Sequence, residues 1–265
     1  MRGFIRSISQ SGVFLLGLFV ACPLAKAGPD LYACETAATP GDTENAMLRR
    51  CLEEVVVRVT GDASLAGSRR ISPILDTAEG FIGGGLRPDA APPGAPPPAT
   101  RRFVFEKDKL DPAIEAFGFN IWPAKRPLTA VFMEVIEPKG RAILDATGPG
   151  HADLRGKLQS PANQRGVPIL LPSGQAAAAI APGVSASEID VLAAAAKALG
   201  ADAVLFGSLR AEGDGYWSAA LTLLWIGQDL QTWESVGVTA EAALRDAVER
   251  AAKIYSNLSA DGVGR

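Results

Sequence analysis

The stretch Ser187–Leu258 constrains the fold most, because its apolar residues change from helical to strand spacing and back again. Gly200 stands where a helix would end in a left-handed residue, and the apolar run Ala203–Phe206 follows at once. So short a run after a helix stop is typical of a strand buried on both faces. The alternation over Trp217–Trp225 then predicts a strand with one apolar and one polar face.

Two further elements complete this part of the chain. Leu230–Val236 is predicted to return as the next strand, and Thr239 is a plausible N-cap for a final helix. Strands and helices also alternate upstream, from Leu128 onward. The sequence therefore predicts an α/β fold: a mixed sheet with an antiparallel meander and packed helices, preceded by a smaller α/β unit.

The N-terminal segment is predicted to be a signal peptide. Arg2 and Arg6 give it a positive start, and Val13–Ala21 is an apolar segment too short to span a bilayer. Ala25–Ala27 has the small residues of a cleavage site, so we expect cleavage after Ala27 and release into the periplasm. In the alternative interpretation, Cys22 is lipidated and anchors the chain to a membrane.

A proline-rich segment, 87–100, divides the remaining chain. It holds six prolines among alanine and glycine and has no periodic apolar face. This composition is typical of an extended linker or loop, and a proline-rich peptide ligand is the alternative. The predicted organisation is a signal peptide over 1–27, an N-terminal α/β unit over 28–86, the Pro/Ala/Gly-rich segment over 87–100, a main α/β domain over 101–258 and a tail over 259–265.

The charge balance bears on the possible partners. The chain has 26 basic and 29 acidic residues, and the signal peptide holds three of the basic residues and no acidic one. Cleavage therefore leaves 23 basic against 29 acidic residues. A negative chain without a basic block does not suit a polyphosphate or an anionic lipid surface, so we expect no nucleic-acid partner.

Cys34 and Cys51 are the cysteines that remain after cleavage at Ala27. An exported chain meets an oxidising compartment, which permits a disulfide between them. Such a bond would join the first strand to the first helix. Two buried free thiols are the alternative, since a sequence does not supply the Cα separation that the bond requires.

Several short motifs occur in a fixed order: Val55–Gly61, Trp122 with Arg126-Pro127, Arg165–Pro168 leading to Pro172, Gly200–Gly207, and Trp217. Together they resemble a family of exported proteobacterial proteins known as domain of unknown function 2066. That resemblance implies an envelope location and no established activity. The order of helix, Gly-Ala-Asp, apolar strand and hairpin in the second half also resembles the amino-terminal domain of the Tol-system periplasmic protein and curli-type secretion lipoproteins. Those relatives imply a binding module in an envelope assembly.

No residue pattern indicates a catalytic, cofactor or metal site. The single histidine, His151, has no Gly-x-Ser-x-Gly motif to supply a nucleophile. The cysteines and His151 are not spaced as zinc ligands, and no phosphate-binding or dinucleotide-binding glycine loop is present. We expect no cofactor and no metal, and the sequence leaves enzymatic activity open without favouring it.

Four residues are candidates for a partner or ligand surface: Trp122, Arg126, Trp225 and Trp233. Arg126 could clamp an anion or a partner carboxylate, or its guanidinium could pack on the indole of Trp122. Trp225 and Trp233 fall on the predicted meander. There they would fill the core or, if exposed, form a partner surface.

These observations favour an exported envelope protein that serves as a non-enzymatic protein-binding or assembly module, with an envelope protein as its partner. One alternative is a small-ligand binder with a cleft between its halves and Trp122 and Arg126 at the rim. The other is an envelope hydrolase with unassigned carboxylates. A deep apolar pocket would favour the ligand binder, and an exposed apolar sheet face or strand edge would favour the partner module.

Overall fold

The computed structural model describes residues 30–83, 100–123, 125–173, 177, 189–213, 215–225 and 229–260. The predicted signal peptide and the proline-rich segment up to residue 99 lie outside these residues. So does Ser185–Glu188, whose Ser-x-x-Glu pattern predicts a helix-capping box. The described residues form a two-stranded sheet and a six-stranded mixed sheet, both with helices packed on them. The predicted α/β class is therefore confirmed.

The first unit follows from strong local signals. Its elements are β1 (Ala33–Ala37), α1 (Glu44–Thr60), α2 (Ser72–Asp76), β2 (Thr100–Val104) and α3 (Lys107–Ala116). The Thr43 hydroxyl accepts a hydrogen bond from the amide of Ala46 and so caps α1, while Gly61 ends this helix in the left-handed conformation. The β-branched residues at the end of α1 stay helical because the core of this unit buries them.

The first unit extends further along the chain than the sequence predicts. β2 pairs antiparallel with β1, with Ala33 opposite Val104 and Ala37 opposite Thr100. Leu110 and Ile114 of α3 are buried in the same core as α1. The predicted division at 87–100 therefore needs correction, since residues 100–121 pack with the first unit. Pairing between strands so distant in sequence leaves no local sign.

The second unit contains the larger sheet. Its elements are β3 (Thr129–Glu137), β4 (Gly140–Ile143), α4 (Ala152–Arg165), β5 (Ile169–Leu170), α5 (Ile189–Ala198), β6 (Ala203–Ala211), β7 (Trp217–Trp225), β8 (Gln231–Gly237) and α6 (Ala240–Ala260). The strand order is β4-β3-β6-β7-β8, with β5 also beside β3. β3 and β6 are parallel, whereas β6, β7 and β8 form the predicted antiparallel meander.

The two faces of the larger sheet are covered unequally. Leu205 and Leu221 point into the main core with α4 and α6, while Phe206 packs with α5 on the opposite face. The start of β6 is thus buried on both faces, as predicted. On β8, Thr232 and Val236 are exposed on the face opposite α6. None of the described helices is both long enough and apolar enough to cross a membrane.

A disulfide joins Cys34 of β1 to Cys51 of α1, with 5.4 Å between their Cα atoms. Both cysteines are buried in the core of the first unit. The structure thus contains the predicted bond between the first strand and the first helix. It is compatible with an exported protein, because such bonds persist in oxidising compartments.

Replacing both cysteines with alanine should lower the free energy of unfolding by about 3 kcal/mol, because the bond restrains the unfolded chain. Alanine is the suitable substitute, since serine would bury a hydroxyl without a partner. Urea unfolding of the double variant, compared with the wild type, measures this difference. Wild type with reductant is the control and should unfold near the midpoint of the variant. An unchanged midpoint in both would contradict a stabilising bond.

Candidate functional site at the junction of the two units

Three buried arginines meet between the two units: Arg58, Arg126 and Arg165 are 5%, 8% and 5% exposed. Arg58 lies in the last turn of α1, and Arg165 is the last residue of α4. Arg126 lies in the segment that leads into β3. The carbonyl groups at a helix C-terminus lack partners within the helix and carry partial negative charge. The junction therefore brings positive side chains to the ends of two helices.

Arg126 joins these helix ends directly. Its Nη1 donates to the carbonyl oxygens of Arg165 at 3.0 Å and Gly166 at 3.1 Å. Its Nη2 donates to the carbonyl oxygen of Arg58 at 2.6 Å. Burial, and then the charges of Arg58 and Arg165, lower the pKa of Arg126 to about 9. The side chain still carries its charge at neutral pH, and carbonyl dipoles stabilise that charge.

Arg58 and Arg165 extend the same network. Nη1 of Arg58 donates to the carbonyl of Ala33 at 2.6 Å, and Nη2 of Arg165 donates to the carbonyl of Gly61 at 2.9 Å. Burial lowers the pKa of both side chains. Within the described residues, Nε and Nη1 of Arg165 are buried without a hydrogen-bond partner. Arg165 thus has unused donors at the edge of the junction.

The prediction that Trp122 and Arg126 lie at the rim of a cleft needs correction. The guanidinium carbon of Arg126 lies 3.9 Å from the ring centroid of Trp122, which agrees with the packing interpretation. Trp122 is only 4% exposed, so neither side chain borders an open cleft as predicted. The reason is that their segment is enclosed between α1 and the helices of the second unit. There Trp122 also stacks with Tyr255 of α6, with 6.5 Å between the ring centroids.

The prediction that Trp225 and Trp233 form an exposed partner surface also needs correction. Both are partly buried and pack against the main core. Trp225 meets Tyr255 edge-on, with 5.4 Å between the ring centroids. Strand alternation places both tryptophans on the same face as Leu221, which α6 covers. Their default role as core residues therefore describes them better.

A cleft of about 570 Å³ opens beside Arg165. The turn after α1, the segment Gly118–Asn120 and one side of α6 form its walls. Its charged lining residues are Asp62, Arg70, Arg165, Asp246, Glu249, Arg250 and Lys253. The ligand-binder alternative requires a cleft between the halves with Trp122 and Arg126 at its rim, but neither of these residues lines this cleft.

Some charges in this cleft already have partners. Nε of Arg250 lies 3.0 Å from a carboxylate oxygen of Asp246, and Asp62 accepts a hydrogen bond from the amide of Ser64. The guanidinium of Arg70 stands 4.8 Å from the ring centroid of Phe119.

Lys253 and Glu249 of α6 remain available, because the described residues offer neither side chain a hydrogen bond or an ion pair. The lining therefore has unused positive groups in Arg70, Lys253 and the free nitrogens of Arg165, together with one unused carboxylate, that of Glu249.

Polar residues also bind the backbone or line pockets away from this junction. A carboxylate oxygen of Asp202 accepts a hydrogen bond from the amide of Leu128 at 2.9 Å. Arg50 and Thr39 hold the pKa of Asp42 well below its usual range. His151 lines a separate pocket of about 310 Å³ near the start of α4. Over the described ranges, no group of three His, Cys, Asp or Glu residues could hold a metal ion.

No protein-family model matches the chain, and no curated protein matches its sequence. The resemblance to domain of unknown function 2066 and to the Tol and curli proteins therefore stays a prediction. Three of the motifs behind it do share a place in the fold, because Val55–Gly61, Arg126-Pro127 and Arg165–Pro168 meet at the arginine junction. Sequence reasoning missed Arg58 and Arg165 as partners of Arg126. The one sequence feature that these two arginines share is their position shortly before a glycine that ends a helix.

Proposed function

We propose that this chain is a non-enzymatic protein-binding module of the cell envelope, and that its docking element is the strand β8. The observation that supports this most is that β8 ends the six-stranded sheet and pairs only with β7 among the described strands. An edge strand presents free amide and carbonyl groups, which an added strand of a partner can pair.

The side chains of β8 do little to prevent such pairing. Proteins usually protect an edge with lysine, proline or a bulge, but Glu234 is the only charged residue of β8 and the strand has no proline. Val236 is 66% exposed on the open face, and Val238 just beyond the strand is 70% exposed. A partner segment that fits would be extended, with an apolar residue near Val236 and a basic residue near Glu234.

Export completes the proposal. The N-terminal segment has the features of a signal peptide, and the Cys34–Cys51 bond is compatible with an oxidising compartment. We place the protein in the periplasm after cleavage near Ala27, with anchoring through a lipidated Cys22 as the alternative. The intact mass of the protein from the envelope fraction distinguishes these two forms.

Photo-crosslinking in the cell tests the docking element. A p-benzoylphenylalanine residue at position 236 should capture one recurrent envelope protein through a single extended segment. The same probe at Val191 of α5 is the matched control, since that valine is also exposed, at 62% against 66% for Val236. Equal capture from both positions, or no recurrent partner from position 236, would contradict docking at β8. Capture of a second copy of the chain would assign the edge to self-association instead.

A further inference from the structure

We propose that the cleft beside Arg165 binds a small anion that carries a carboxylate or phosphate group. This site uses no residue of β8 and does not depend on the proposed protein partner. Its volume of about 570 Å³ lies within the range of small-molecule sites. The inference rests on the buried donors and on the balance of unused charges around the cleft.

Arg165 is the central observation. Its side chain lines the cleft, is 5% exposed and has hydrogen-bond donors at Nε and Nη1 that no described residue satisfies. Buried donors are normally paired, because leaving a charged group without hydrogen bonds in a desolvated place is unfavourable. Nε and Nη1 point along different edges of the guanidinium, and each can donate a charge-assisted hydrogen bond to one oxygen of a carboxylate or phosphate. A bound anion would supply the missing acceptors.

The remaining charges of the cleft favour an anionic group over a cationic one. Arg70 and Lys253 have no carboxylate partner among the described residues, and they stand in the lining with Arg165. Glu249 opposes them, and its charge acts with that of Asp62 to favour the charged form of Arg165. The opposite charges of Arg250 and Asp246 form an ion pair and cancel each other. The positive groups without partners therefore outnumber the free carboxylates.

Isothermal titration of the purified protein at low salt with inorganic phosphate, and separately with succinate, tests this inference. At least one of these anions should bind with a Kd at or below about 1 mM. Binding of phosphate alone, of succinate alone or of both would support the site and identify which anionic group it prefers. If neither anion gives a heat of binding at concentrations well above about 1 mM, the inference is overturned.

Substitutions locate the binding. Lys253→Gln and Arg70→Gln should each weaken binding about 10-fold, the effect of losing one hydrogen bond to a charged group. Lys139→Gln is the control, since this exposed lysine lies in the turn between β3 and β4, away from the lining. It should leave the Kd unchanged. Equal effects from all three variants would show general charge screening and would contradict a built site.

Glu249→Gln gives the sharpest readout, because a gain in affinity cannot come from a damaged fold. It removes the opposing carboxylate, and although the charge of Glu249 also favours the charged form of Arg165, no hydrogen bond to a described residue is lost. Binding should tighten about threefold, as expected for a partly exposed charge. Unchanged or weaker binding would show that the anion does not lie beside Arg165 and Glu249, and would overturn this placement.

Discussion

Replacing Arg126 with methionine should lower the free energy of unfolding by about 3 kcal/mol, because buried backbone carbonyls lose their donors. The three carbonyls belong to Arg58, Arg165 and Gly166, which stand at the ends of two helices from different units. Methionine fills much of the same volume but donates no hydrogen bond. The loss should therefore come from unpaired acceptors rather than from an empty space.

An opposing effect must be weighed. Arg126 is buried near Arg58 and Arg165, and both neighbours act with burial to lower its pKa. Removing the charge relieves that repulsion and the cost of desolvation. We expect the carbonyl effect to be larger, since each of these acceptors lies in a buried hydrogen bond that water would have to replace.

Urea unfolding of Arg126→Met and Arg126→Lys measures the balance between these effects. Lysine keeps the positive charge but donates its hydrogen bonds from a single nitrogen atom, so it should recover only part of the lost stability. Arg102→Ala is the control, because the Arg102 side chain is 60% exposed and should contribute less than about 0.5 kcal/mol. If Arg126→Met unfolds like the wild type, the carbonyl cluster does not hold the units together.

The parts of the fold that the sequence predicts well are those encoded by neighbouring residues. Gly200 has the predicted left-handed conformation between α5 and β6, and the alternation over Trp217–Trp225 marks β7 and the face it buries. Each signal lies within one turn of helix or one strand. The meander follows from the same signals, because short turns join adjacent antiparallel strands.

The candidate site could not be predicted in the same way. A sequence marks arginine as a surface residue, since charged side chains are seldom fully buried. Arg58, Arg126 and Arg165 are buried because helix ends far apart in the chain converge on them. The pairing of β1 with β2 belongs to the same class, because only the folded chain brings these strands together. Long-range convergence of this kind determines both the junction and the cleft beside it.

Replacing Gly207 with alanine should lower the free energy of unfolding by about 3 kcal/mol, combining backbone strain with overpacking. Gly207 has φ +149°, which L-residues rarely adopt, and its added Cβ would lie 2.0 Å from the carbonyl oxygen of Ala220. These residues are in the middle of the β6–β7 pair, where Gly207 stands opposite Leu221. The strands would have to separate to admit a methyl group, which explains why the sequence has glycine inside an apolar strand.

Gly156→Ala is the matched control, because it makes the same chemical change where space and backbone allow it. Gly156 lies inside α4, and its added Cβ would meet nothing within 4 Å. Alanine should stabilise this helix by about 0.5–1 kcal/mol, since glycine loses more conformational freedom on folding. Thermal and urea unfolding should thus shift in opposite directions for the two variants. A stabilising or neutral Gly207→Ala would mean that β6 and β7 do not approach as closely as the structure places them.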